Sequence, residues 1–213
     1  MWKVLIVALL CYGLFLYWQP SQKPVVLDDH EGWMKTDTPD SILLYINEHR
    51  NLAIQEMQRA KIPASITLGQ AILESRFGTS HLAMHANNHF GIKASLDWDG
   101  KDRHCAYTYE WNQQKKGMYP AFACFRSYSD VEQCYIDHSE FLSTRPWYNA
   151  LFQLDSTDWK AWAKGLQKAG YATDPNYATK LISLIERYQL QQIDQVTSRS
   201  TAVTLQKHSN RAY

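Results

Sequence analysis

The chain has 213 residues, 22 Lys+Arg against 21 Asp+Glu for a formal net charge of +1, and 45% hydrophobic residues. That length and mix fit one globular domain with tails and exclude a disordered chain, and the near-zero charge speaks against a generic nucleic-acid binder. Aromatics reach 13%, and four cysteines without CxxC spacing make neither a disulfide scaffold nor a zinc motif.

Residues 4–18 (VLIVALLCYGLFLYW) are free of charge and follow Lys3. A positive start and an apolar run read as a membrane-directed segment, and no small-x-small site follows Trp18. The expectation is an uncleaved signal anchor over residues 1–18, with the rest outside the cytoplasm. A cleaved signal, which would make the protein secreted, is the alternative. Cys11 as a lipidation site is disfavoured by the bulky Leu10. Residues 19–37, with two prolines and no period, read as a linker.

A domain is expected over residues 38–190. Thr38-Pro39-Asp40 predicts a helix from about 39 to 60, broken at Ile62-Pro63. A second helix is expected from about 64 to 76, with Gly78 as its C-cap. Ser80 caps a short helix through His85, and residues 87–103 read as a loop. Residues 104–111 (HCAYTYEW) and 120–127 (PAFACFRS) alternate and predict a β-hairpin around a long polar loop. Ser129-x-x-Glu132 predicts a capping box with Val131, Cys134, Tyr135, His138 and Leu142 facing inward. Thr157 is the expected cap of a helix that ends at Gly170. Asp174-Pro175 is expected to open the last helix. Residues 191–213 read as a disordered tail. The fold class is mostly α with one small β element.

The segment IPASITLGQAILES is apolar nearly all round, the pattern of a buried helix. Thr67, Gln70 and Glu74 fall in one polar column along it. A carboxylate at the end of a buried helix is desolvated and its pKa raised, as a general acid at neutral pH requires. The competing reading is a buried acid paired to Arg76 or Lys93. A two-acid glycosidase needs a second carboxylate, for which Glu110, Asp97, Asp99 and Asp102 are candidates. Glu110, between Tyr109 and Trp111, suits a cleft floor flanked by aromatics, or equally an edge-strand charge that blocks aggregation. His81, His85 and His89 recur every four residues, but no third acidic ligand accompanies them, and no metal is assigned.

The pieces IPASITLGQAILES, FGTS, NNHFGIK, TYEW, CFRSY, DHSEFL and AGYATDPNYATKLI occur in one order over about residues 38–190. Together they resemble the glucosaminidase family, glycoside hydrolase family 73, which includes the flagellar muramidase domain and cell-wall autolysins. The resemblance implies a lysozyme-like helical domain with a β-hairpin lobe and a groove between the lobes. It implies hydrolysis of the β-1,4 bond after N-acetylglucosamine in peptidoglycan glycan strands by an endo-β-N-acetylglucosaminidase without a cofactor. Glu74 matches the family's catalytic acid, Glu110 its β-lobe acid and Tyr171 its tyrosine in the GYATDP segment. Gln70, Ser75, Asn88, Phe90, Gly91 and Trp111 are the implied substrate-binding residues. Relatives with a CFR motif place a cysteine after GIK, where Ala94 stands here. The expected disulfide is therefore Cys105–Cys124, with Cys124–Cys134 as the alternative. The expected state is a monomer in the bacterial cell envelope, held to the membrane by the N-terminal segment. A lytic transglycosylase is the nearest rival, but its Gly-Leu-Met-Gln segment is missing. A non-catalytic glycan-binding protein that keeps the fold is the rival of another class.

Overall fold

The computed structural model describes residues 39–95, 98, 102–112 and 116–195. The expected anchor (1–18), the linker (19–37) and positions 196–213 of the expected tail lie outside these residues. Among the described residues no helix is long and apolar enough to cross a membrane.

Helix α1 is Pro39–Ala60, with Asp40 in its first turn and Arg59 in its last, each favourable to the helix dipole. Lys61 ends it in the left-handed region. Helix α2, Ala64–Ser75, is the centre of the fold, and every residue in it except Glu74 is buried. It packs against α1, and against helices α5 (Trp159–Lys168) and α6 (Tyr177–Arg187). Gly69 makes the α6 contact possible: a Cβ there would lie 2.9 Å from Leu181 Cδ1.

The ends of α2 are shaped by partners the local pattern does not display. At its start Pro63 has no side-chain oxygen to cap with. Asp194 supplies the cap from the far end of the chain, accepting from Ser65 N at 2.8 Å and Ser65 Oγ at 2.6 Å. At its other end the helix stops at Ser75, before the expected Gly78. Ser75 Oγ donates to Ala71 O at 2.5 Å and accepts from Gly78 N at 2.8 Å. Arg76, Phe77 and Gly78 then all take positive φ. A left-handed non-glycine residue costs about 1–2 kcal/mol, so this bend, directly after Glu74, is held by its surroundings.

Helix α3, His81–Ala86, starts at the expected cap Ser80. Strands β1 (Arg103–Asn112) and β2 (Gly117–Arg126) form one antiparallel hairpin. The second strand begins three residues before the expected 120, because Gly117, Met118 and Tyr119 continue the ladder opposite Asn112, Trp111 and Glu110. Cys105 and Cys124 face each other in the register and are joined by a disulfide, while Cys134 is a buried free thiol. Phe125, with Ala123, packs on Leu82 and Ala86 of α3, which seats the hairpin on the helical lobe.

Helix α4 is Val131–Ser143, and its cap is Asp130, not the expected Ser129. Asp130 accepts from Gln133 N at 2.8 Å, and Ser129 Oγ donates to the same carboxylate. A 3-10 helix over Pro146–Gln153, unforeseen in the sequence, leads towards α5. The cap of α5 is Asp158, while Thr157, expected in that role, bonds Asp155 instead. After α6 a 3-10 turn, Leu190–Gln192, and the buried Asp194 pack onto α2. The folded unit therefore runs past the expected boundary at 190.

Candidate active site

Glu74 stands at the last turn of α2, half-buried where its eleven helix neighbours are buried. Burial pushes its carboxyl pKa up to about 7, against which the Tyr177 hydroxyl pulls it down, Asp174 pushes it up and Lys180 pulls it down. Asp174 and Lys180 are paired at 2.8 Å, so their opposed fields largely offset. The charged groups that act on Glu74 are thus neither of the bases considered from the sequence. A carboxyl tuned to about 7 holds its proton at neutral pH and can release it to a leaving group.

Three segments converge on this carboxyl. From α2 itself, Gln70 is fully buried and donates through Nε2 to Tyr177 Oη at 2.9 Å. From the start of α6 comes Tyr177, whose hydroxyl accepts the Gln70 bond and acts on the Glu74 carboxyl. From the loop after α3, Gly91 has φ +64, and a Cβ built on it would lie 4.0 Å from Glu74 Oε2. This glycine both takes a left-handed backbone and leaves the acid uncovered.

The loop that carries Gly91 is built by Asn88. Its Nδ2 donates to Ile92 O at 3.0 Å and Arg126 O at 2.9 Å, and its Oδ1 accepts from Phe90 N and Ile92 N. Phe90 is buried, stacked on His138 at 3.8 Å between ring centroids. Ser75 is buried in the bend after Glu74. Gln70, Ser75, Asn88 and Phe90, read as substrate-binding from the family pattern, are all buried in the structure. Asn88 and Ser75 are committed to internal bonds and Phe90 to ring packing, while Gln70 bonds through Nε2 and its Oε1 has no partner among the described residues. Of the described residues in that set, Gly91 alone is half-exposed beside Glu74.

Tyr171 is half-buried, with its hydroxyl 3.5 Å from Phe90 O and its ring 5.6 Å from that of Tyr177. Burial first, and then the charge of Glu74, raise its hydroxyl pKa. It thus sits in the same neighbourhood as the acid. Glu110 lies in β1 opposite Tyr119, and Trp111 opposite Met118. Their side chains lie outside the described ones, as do Asp97 and Asp99. Asp102 is exposed at the foot of the hairpin. Tyr177, which the sequence reading did not single out, accepts the Gln70 bond and is one of the groups that act on the Glu74 carboxyl. Its signal was present in the motif AGYATDPNYATKLI, where it follows the expected helix start.

The expected histidine column splits. His81 and His85 stack on each other at 4.1 Å and meet His104 of β1, while His89 turns inward and bonds Tyr45 Oη through Nδ1 at 2.6 Å. Among the described residues no group of three or more His, Cys, Asp or Glu is arranged to hold a metal ion. The hairpin is tied to α4 by Arg126, which bonds both Asp137 oxygens at 2.6 and 2.8 Å, and Tyr128 Oη donates to the same carboxylate at 2.6 Å.

Residues 50–190 match the family model Glucosaminidase, described as mannosyl-glycoprotein endo-beta-N-acetylglucosaminidase. The chain is 32% identical to the exo-glucosaminidase LytG of Bacillus subtilis, over 91% of this chain and 66% of that protein. It is 34% identical to the peptidoglycan hydrolase FlgJ of Salmonella typhimurium, over 70% of this chain and 46% of that one. The chain thus spans just under two thirds of the first relative and about half of the second. The crystal structure of the catalytic domain of the autolysin Auto from Listeria monocytogenes matches with a TM-score of 0.61 at 28% identity, covering 75% of this chain and 92% of that one.

Proposed function

Since this chain belongs to the glucosaminidase family, we propose that it is a peptidoglycan hydrolase, an endo-β-N-acetylglucosaminidase that cuts the β-1,4 bond after N-acetylglucosamine. The observation that carries this reading is Glu74: the one residue of α2 that is not buried, with a carboxyl pKa of about 7. The relatives named as peptidoglycan hydrolase and exo-glucosaminidase support the substrate class.

In this reading Glu74 protonates the leaving glycosidic oxygen as the bond breaks, and the transition state is oxocarbenium-like. A second carboxylate stabilises that cation or activates water, and Glu110 is assigned the part. Tyr171, close to Glu74, is assigned the placing of the acetamido group or the attacking water. Trp111 is assigned a sugar contact. The domain works as a monomer over residues 38–190 and the turn that follows. Residues 1–18 anchor it to the membrane with the domain outside the cytoplasm, and residues 19–37 serve as the tether.

Digestion of purified peptidoglycan, borohydride reduction and mass spectrometry test this function. Reduced N-acetylglucosamine ends on fragments of several sugars support the endo-glucosaminidase. Release of single sugars or disaccharides from chain ends gives the exo mode instead, which the name of LytG favours. Anhydro-muramic ends overturn the reading in favour of a lytic transglycosylase.

A further inference from the structure

Of the tryptophans whose side chains the structure describes, Trp147 alone is exposed, at 57%. Trp162 lies in the core. Half-buried Trp98 has the Arg126 guanidinium over its ring at 4.3 Å, and half-buried Trp159 has Lys160 Nζ 5.0 Å from its centroid. Among the described residues no cation stands over Trp147, and its ring neighbour is Tyr148, at 6.0 Å between centroids. An exposed aromatic side chain alone says little; the mounting of this one and the row it ends say more. Trp147 sits in the first turn of the 3-10 helix Pro146–Gln153, behind a proline that fixes the backbone. Tyr148 and Leu151 of that turn are buried, and Leu151 fills the space that a Cβ on Gly165 of α5 would need. Arg145, on the other side, donates to Phe141 O at 3.2 Å and lays its guanidinium over the Phe141 ring at 3.7 Å. The indole is therefore held out to solvent on a clamped turn.

An aromatic row joins that turn to the acid. From Trp147 it passes to Tyr148, and from Tyr148 to Tyr171 at 6.4 Å between centroids. The Tyr171 hydroxyl is 3.5 Å from Phe90 O, and the next residue, Gly91, is the one whose missing Cβ would lie 4.0 Å from Glu74 Oε2. Tyr171 is thus the inner end of the row, beside the acid, and Trp147 the outer end, two ring-to-ring steps away. Those two steps are comparable with the length of a disaccharide. We propose that Trp147 is a stacking platform for a sugar of the glycan strand that lies outside the reacting pair, a distal subsite continuous with the active site. This rests on the reading of the site as that of a glycan hydrolase. A pyranose ring carries C–H groups on its faces and hydroxyls on its rim. An indole offers a broad apolar face with one N–H at its edge, which suits that pattern where one side stays wet. Tyr148 is buried and cannot present a face. Contacts this far from the scissile bond act on the bound substrate and the transition state alike, so they lower KM and leave kcat alone. A rigid mount keeps the ordering cost of such a contact small.

The test uses the full chain, as the parent and as Trp147→Ala and Trp147→Phe. The probes are long glycan strands freed of their stem peptides and the tetrasaccharide cut from the same strands. Initial rates give kcat and KM, and titration calorimetry in the Glu74→Gln background gives affinity without turnover. Trp147→Ala is expected to raise KM on long strands roughly threefold to tenfold, hold kcat, and weaken strand binding by the same factor. The loss should be smaller on the tetrasaccharide, which reaches the outer ring in fewer of its binding registers. Trp147→Phe keeps an aromatic face and should recover most of the affinity. Unmoved KM and affinity, a loss equal on both probes, or a fall in kcat without a rise in KM overturns the inference and leaves the hydrolase standing. A parent that binds strands without cutting them, with binding weakened by Trp147→Ala, keeps the platform and overturns the proposed hydrolase. A parent that neither binds nor cuts overturns both.

Discussion

Glu74 is a carboxyl that the fold holds at a cost in stability. Its pKa is raised in the folded chain to about 7 from an ordinary 4.5. A group of this kind contributes stability below its unfolded pKa and loses it as pH rises through the folded value. Glu74→Gln should therefore melt above the parent at pH 8, by up to about 3 kcal/mol in stability, and the difference should vanish by pH 4. Thermal melts at the two pH values check this. Gly91 offers a second handle on the same site. Gly91→Ala places a Cβ at φ +64, which costs about 1–2 kcal/mol, and sets a methyl group beside the carboxyl. A lower melting temperature together with reduced turnover is the expected result, read from parallel melts and peptidoglycan digests.

At the scale of elements, the hairpin is the weakly seated part of the domain. It meets α3 through Phe125, Ala123, Leu82 and Ala86, and α4 through the Arg126–Asp137 pair. Its strands are joined to each other by Cys105–Cys124. Closing a loop of about 15 residues contributes roughly 3 kcal/mol in the chain-entropy account. Serine at both positions should therefore loosen residues 103–126 while α1, α2 and α6 keep their protection. Hydrogen exchange, followed segment by segment, checks the contrast. The sequence displayed the elements themselves well, because their period and punctuation are local: Pro39 opened α1, Ile62-Pro63 divided it from α2, and Ser80 capped α3. It displayed poorly whatever depended on distant partners. The bend after Glu74 is set by Ser75 rather than by Gly78, and the cap of α2 comes from Asp194. The polar column Thr67, Gln70, Glu74 singled out the candidate acid, yet only the docking of α6 shows that Gln70 bonds Tyr177. Asn88, Phe90 and Ser75 carry the same lesson, since motif residues crowd a site whether they touch the ligand or hold its frame.

For the whole molecule, buried histidines set the acid side of stability. His89 and His138 are desolvated, and their pKa values fall to about 4 and about 3. They stay neutral in the folded chain while the unfolded chain binds protons below about pH 6.5, so stability is lost as pH falls from there. Glu74 and Asp194, whose pKa is raised to about 6, slope the other way over part of this range. In the Glu74→Gln background one opposing slope is gone, and the melting temperature should decline between pH 6.5 and 4. A flat profile there contradicts the assignment of both histidines as neutral core groups. The central claim is that one half-buried glutamate at the end of a buried helix performs the acid step. Its most direct test is the rate of peptidoglycan cleavage by the parent and by Glu74→Gln, matched for folded protein by circular dichroism. The account predicts a loss of about a hundredfold or more, and equal rates from the two proteins would contradict it.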